Sequence, residues 1–187
     1  MAVTERSTGL TLIELLVVVA VLAVVITAAV PSFARLAAGV RVRVEAQKLL
    51  MAVHLTRSEA IKRNRPVSLC PVLRSSSRTT CSRDYSQGWM VFENFNRDRK
   101  RDAGEGELAT NAGLSHGVVV SNRKGNRRAD ELITYFGDGS SRRNLTLMVC
   151  AEDFPGVDSW SVVLNRIGRP RMARNWGVCP EEALPER

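Results

Sequence analysis

Leu15 to Val30 is apolar apart from Thr27, and the stretch from Ser7 to Ala34 carries a single charge, Glu14. A bilayer core needs about 20 mainly apolar residues, so this segment is long enough to span one. From Arg35 to about Arg65 the pattern changes without breaking. Apolar residues return at steps of three and four, at Leu36, Val40, Val44, Leu50, Val53 and Ala60 or Ile61. That period predicts an amphipathic helix with those side chains turned inward, ended by Asn64 and Pro66. A continuous helix of about 50 residues would be roughly 75 Å long; Pro31 leaves two separate helices as the alternative.

Beyond Pro66 the period shortens. Strands are predicted at Val67–Leu73, Gly88–Phe95, Gly117–Asn122, Glu131–Phe136, Leu145–Cys150 and Ser159–Arg166, separated by loops rich in Gly, Ser, Asn and Arg. The expected fold is α+β: a long N-terminal helix, first transmembrane and then amphipathic, packed on an antiparallel β-sheet domain.

Composition narrows the setting. The 187 residues carry a formal net charge of +8 with pI about 10.0, which favours a polyanionic partner such as nucleic acid, anionic lipid or anionic polysaccharide without choosing among them. Four cysteines are present, none in a CxxC pair, and His54 and His116 lie far from them in sequence. That spacing speaks against a zinc site. An even, dispersed set suits two disulfides and an oxidising compartment, with four buried thiols as the alternative. Of three possible pairings, local loop closure favours Cys70–Cys81 and Cys150–Cys179.

A carboxylate at the start of a spanning helix is costly unless paired, neutralised or held at the headgroups, which makes Glu14 the informative residue of the anchor. A cleaved secretory signal fits poorly, because the first nine residues are not strongly basic and no small-x-small site follows the apolar run. The sequence Gly9-Leu10-Thr11-Leu12-Ile13-Glu14-Leu15-Leu16 resembles the processing site of type IV prepilins and pseudopilins. The resemblance implies cleavage by a prepilin peptidase between Gly9 and Leu10 and methylation of the new terminus. It also implies that Glu14 pairs with the Leu10 amine of a neighbouring subunit. Such a pair stabilises only when both charges dock, which sets subunit register. Leu10 stands where the family usually has phenylalanine, and Pro31 falls where these subunits commonly carry proline. The implied organisation is a leader at 1–9, a transmembrane and assembly helix at 10–34 and a periplasmic globular domain at 35–187. The chain would be anchored in the bacterial inner membrane and assembled with other pilins at the cell surface.

The second half also resembles minor pilins of the FimT type and the related GspH pseudopilins, through Ser58–Asn64 with Val67–Cys70, Gly88–Phe92, Leu145–Cys150 and Gly168-Arg169-Pro170-Arg171. FimT-type pilins carry a GRxR motif at the last of these places and bind DNA for uptake in natural transformation. In an extended segment Arg169 and Arg171 share a side, roughly 6–7 Å apart, a spacing suited to successive phosphates. Arg166 and Arg174 extend the cluster, Gly168 would let a backbone approach, and Pro170 would stiffen the pair. The competing reading is a solvated basic edge strand that deters aggregation. Arg123, Lys124, Arg127, Arg128, Arg142 and Arg143 could widen the patch, but whether they share its face is not legible. Trp176 is the main aromatic candidate, so backbone contact with little base reading is expected.

The segment from Asn94 to Glu105 echoes a calcium loop. Arg99 occupies the glycine position, however, and Lys100 and Arg101 add repulsion, so a hydrophilic turn is expected. No catalytic set, metal site or cofactor is expected. The sequence thus points to a minor pilin that captures DNA, or alternatively to a purely structural minor pilin or type II secretion pseudopilin that primes or caps a fibre without touching DNA.

Overall fold

The computed structural model describes residues 11–73 and 80–180. Helix α1 runs without interruption from Leu12 to Arg63 and contains Pro31. The chain divides after Ala37 into two compact units.

In the first unit Thr11 and Glu14 form a reciprocal cap. The Thr11 backbone N–H and hydroxyl donate to Glu14 Oε2 at 2.9 and 3.0 Å, while the Glu14 N–H donates to Thr11 Oγ1 at 3.3 Å. This satisfies donors that a helix start otherwise leaves open. Side chains from Leu12 to Thr27 are exposed throughout. The helix is long and apolar enough to cross a membrane, and the only cost of such a surface in lipid is packing, since its backbone polar groups are paired internally.

In the second unit α1 buries a stripe made of Ala38, Val42, Glu45, Ala46, Leu49, Val53, Thr56 and Ala60. This corrects the predicted face at its N-terminal end: Val40 and Val44 are exposed, and Leu50 is only partly buried. The three alanines explain the choice, because small side chains let the helix approach the sheets closely while bulkier residues face out. Buried Glu45 accepts from Ser115 Oγ at 2.6 Å and Lys48 Nζ at 3.0 Å. The helix stops where expected. Asn64 takes the left-handed conformation at φ 51°, and Arg65 N–H returns to the Ala60 carbonyl at 3.2 Å, closing the last turn.

Among the described residues eight strands follow: β1 (Val67–Pro71), β2 (Trp89–Glu93), β3 (Glu107–Asn111), β4 (Val118–Asn122), β5 (Ile133–Tyr135), β6 (Leu145–Ala151), β7 (Trp160–Leu164) and β8 (Pro170–Arg174). They form two antiparallel four-stranded sheets, ordered β3-β2-β1-β5 and β4-β6-β7-β8. The sheet region is therefore split in two, and both halves feed alternate residues into one core with the helix stripe. Val67, Leu69, Trp89 and Val91 come from the first sheet; Val118, Val120, Leu147, Val149, Val162 and Leu164 come from the second. Strands β3 and β8 escaped the sequence pattern because both are edge strands and neither carries an apolar run. Disulfides join Cys70 to Cys81 and Cys150 to Cys179.

The loop from Asn94 to Glu105 is closed by its own bonds. Glu105 accepts the N–H groups of Phe95 and Asp102 at 2.7 and 2.9 Å, and Asp98 accepts that of Lys100 at 2.7 Å. Among the described residues no cluster could hold a metal ion.

The turn between β7 and β8 uses Gly168 for the fold. Its φ is +86°, it is buried, and an added Cβ would lie 2.0 Å from the Gly139 carbonyl oxygen and 2.9 Å from the Tyr135 ring. Gly168 thus has a role in the fold besides the expected one at a ligand: its missing side chain makes room for the Gly139 turn. Gly168→Ala should lower stability by about 3 kcal/mol, from left-handed strain and overpacking together. Thermal denaturation of the purified chain measures it, and an unchanged melting temperature contradicts the packing described.

Candidate functional site

Strand β8 is the edge of its sheet, paired with β7 in the register Leu164↔Pro170, Val163↔Arg171 and Val162↔Met172. Val162 and Met172 pack on the core side. Alternation therefore puts Arg171 on the opposite face, beside Val163 and, through the pairing of β6 and β7, Thr146.

The chain then turns back over that same face. Asn175 supplies the reversal: it is left-handed at φ 51°, and its Oδ1 accepts the Ser159 N–H at 2.9 Å. The tail that follows is fastened to the turn after β4. Val178 N–H donates to the Arg123 carbonyl at 3.0 Å, and Arg123 Nε donates to the Trp176 carbonyl at 3.3 Å. Two glycines permit the approach. A Cβ on Gly177 would meet Arg123 O at 2.6 Å, and one on Gly125 would meet Val178 O at 2.7 Å. The Cys150–Cys179 disulfide pins the end of the tail to β6, where Val119, Met148 and Cys150 form a small apolar cluster beneath it.

The result is an open groove of about 540 Å³. It is lined by Arg123 and Lys124 on one side, Arg171 with Trp176 on another, and by Asn144, just before β6, and Asn165, just after β7. Trp176 is 45% exposed and carries two guanidinium groups, Arg123 at 5.3 Å and Arg171 at 5.0 Å from the ring centroid. Stacking of this kind holds a flexible arginine in place while leaving its donors open.

The basic residues fall into two classes. Arg174, expected in the cluster, is ion-paired to Asp158; that bond and one from Asn175 hold the Asp158 carboxyl below the usual carboxylate range. Arg127 is paired with Asp130 and Glu131, and Arg128 with Asp84. By contrast Arg123, Lys124, Arg166, Arg169 and Arg171 form no ion pair among the described residues. Arg166 and Arg169 are exposed on the β7–β8 turn. Arg142 joins Arg166 through a backbone bond of 3.2 Å and lays its guanidinium over Phe136 at 4.0 Å. The structure thus brings Arg171 together with Arg123 and Lys124, keeps Arg166 and Arg169 on the adjacent turn, and ties up Arg174. Sequence reading missed Asn144 and Asn165; the first immediately precedes β6 and the second immediately follows β7, places where asparagine is common for turn reasons alone.

Gly9 and Leu10, expected to flank a processing cut, lie outside the described residues. His54 is exposed, and His116 lies 3.9 Å from Asp153.

Comparison with known proteins assigns the architecture. The family profile "Type II transport protein GspH" matches residues 45–168, and the "Prokaryotic N-terminal methylation motif" matches residues 6–30. No curated protein matches the sequence significantly. Among solved structures, the type IV minor pilin FimU of Pseudomonas aeruginosa (strain PAO1) superposes with a TM-score of 0.54 at 16% identity, over 71% of this chain and 87% of that one. A second crystal form of FimU gives 0.52 at 16% identity, over 70% and 91%. The minor pseudopilin EpsH from the Type 2 Secretion System of Vibrio cholerae gives 0.49 at 12% identity, over 71% and 96%. Arg169, Arg171 and Trp176 lie beyond the stretch that the family profile matches. With an apolar anchor helix, a methylation motif and an α+β domain built on the type IV pilin plan, the chain belongs to the GspH family and is a minor type IV pilin or pseudopilin.

Proposed function

We propose that this subunit captures extracellular DNA for uptake in natural transformation, through the basic groove and turn at the C-terminal end of its globular domain. One observation carries the reading: three cations, Arg123, Lys124 and Arg171, line a single groove, and none of them forms an ion pair among the described residues. Unlike Arg127, Arg128 and Arg174, which are ion-paired, these three gather on one groove with their charges unmatched, an arrangement that suits an external anion. Arg166 and Arg169 on the adjacent turn extend the track for a phosphate backbone. Arginine forks suit phosphate oxygens, and such contacts are independent of sequence.

The same reading assigns the rest of the chain. Residues 1–9 are a leader removed by a prepilin peptidase between Gly9 and Leu10. Residues 10–34 anchor the subunit in the inner membrane and later join the fibre, and residues 35–187 form a periplasmic domain. In the fibre Glu14 exchanges its cap on Thr11 for the Leu10 amine of a neighbouring subunit. A second reading, a structural subunit of a secretion pseudopilus that never meets DNA, is favoured by the GspH profile itself. It is distinguished by secretion failing on deletion while the purified chain ignores DNA.

Two outcomes are expected from gel-shift titrations at several salt concentrations. Arg169→Gln combined with Arg171→Gln weakens binding to all sequences alike and lowers the salt slope by about 0.9 for each lost phosphate contact. Arg174→Gln changes neither by much, because its guanidinium already serves Asp158. Equal effects of the two changes would contradict the division of the arginines. Second, replacing Cys150 and Cys179 with serine frees the tail, so DNA affinity falls about tenfold through lost preorganisation. Circular dichroism should still report the folded domain. Undiminished affinity would remove the tail from the site.

A further inference from the structure

We infer that the groove beside Trp176 takes one unpaired nucleotide, so that the chain prefers single-stranded to duplex DNA. The inference rests on the DNA-binding reading above and specifies the form of the ligand.

The groove is asymmetric in its hydrogen-bonding groups. The side-chain oxygens of Asn144 and Asn165 already accept backbone N–H groups, from Arg166 at 3.1 Å and Arg169 at 2.9 Å. Each amide therefore presents its NH2 group, and neither NH2 has a partner among the described residues. Arg123, Lys124 and Arg171 are donors only. The one carboxylate on the lining, Glu131, is held by Arg127 at 2.5 Å and by the Asp130 N–H at 3.1 Å. Apart from the Thr146 hydroxyl, which can donate or accept, the open side-chain groups are donors around a half-exposed indole.

A ligand that satisfies this set must be anionic, rich in acceptors and flat on one side. A nucleotide has all three properties: phosphate oxygens for the arginines and lysine, ring nitrogens and carbonyl oxygens for the amides, and a π-face for Trp176. The volume of about 540 Å³ accommodates one nucleotide. A duplex offers only phosphates to such a concavity, because its bases are stacked within and their edges lie in grooves. Duplex contact is therefore confined to the cations, while a single strand also reaches the amides and the indole. On binding, the base takes the place of one guanidinium on the indole, and that guanidinium moves to a phosphate. An acidic polysaccharide also offers acceptors and charge, but it lacks a flat conjugated ring.

The test uses the full chain in detergent micelles and fluorescence anisotropy of labelled probes at one salt concentration. The probes are a short oligothymidylate, an abasic deoxyribose-phosphate strand of equal length, the matching duplex, and competing oligogalacturonate. The expected result is that oligothymidylate binds about tenfold more tightly than the abasic strand. Trp176→Ala should remove that difference, and Trp176→Phe should restore most of it. Equal binding of oligothymidylate and abasic strand, with duplex binding intact, overturns the inference and leaves the DNA-binding reading standing. Binding to none of the DNA probes overturns both. Tighter binding of oligogalacturonate than of oligothymidylate overturns the inference in favour of an acidic polysaccharide.

Discussion

One helix has to bury two different surfaces, and the rest of the structure depends on how it does so. From Ala38 to Ala60 the buried face is narrow and rich in alanine, which lets two sheets close over it. From Leu15 to Ile26 the helix is apolar all round and exposed. No amphipathic arrangement can hide such a surface in water; it needs lipid or the helices of other subunits. The same element therefore anchors the chain and supplies the core of its folded domain. Glu14 marks the end at which the environment changes. In the single chain it caps the helix on Thr11, so its carboxylate is already satisfied before any partner arrives.

The legibility of the sequence followed the strength of each physical signal. The spanning run, the helix end at Asn64 and six of the eight strands were readable because each is a periodic or continuous apolar pattern bounded by turn residues. Strands β3 and β8 were not, since an edge strand half in solvent needs no apolar run. The face of the helix was misjudged near Val40 and Val44 for a related reason. Hydrophobic period alone ranks valine above alanine, while close packing on a sheet prefers the smaller residue. The cluster Arg166–Arg174 was visible as a cluster, but its internal division was not. Whether an arginine has a counter-ion depends on residues distant in sequence, as with Arg128 and Asp84.

That division changes how the net charge of +8 is read. Much of the positive charge is structural. Arg63 bridges Glu59 and Glu93, Arg127 holds Asp130 and Glu131, and Arg174 holds Asp158. These exposed pairs contribute little to stability individually, but they remove their arginines from the pool that can meet a polyanion. Five cations without an ion pair among the described residues, Arg123, Lys124, Arg166, Arg169 and Arg171, gather around Trp176 and the β7–β8 turn, while others such as Arg35, Arg43 and Arg97 lie elsewhere. Neighbouring structural requirements shape this patch too: Gly168 shapes the turn that displays Arg169, although its own freedom is used against Gly139.

The groove also depends on the Cys150–Cys179 disulfide, which forms under oxidising conditions. Its Trp176 wall belongs to a tail that shares no strand with the rest of the sheet. The tail is held by a few backbone bonds to the turn after β4 and by the link from Cys179 to Cys150. Bonds of the first kind are individually weak, and a tail near a chain end frays readily. The disulfide fixes the far end of the tail, so indole and arginines face one another before any ligand arrives. The main core, by contrast, is formed by helix and sheets that bury their own apolar residues, with the Cys70–Cys81 disulfide inside a smaller buried cluster. Domain folding and site formation are therefore separable steps, and an oxidising compartment completes the second.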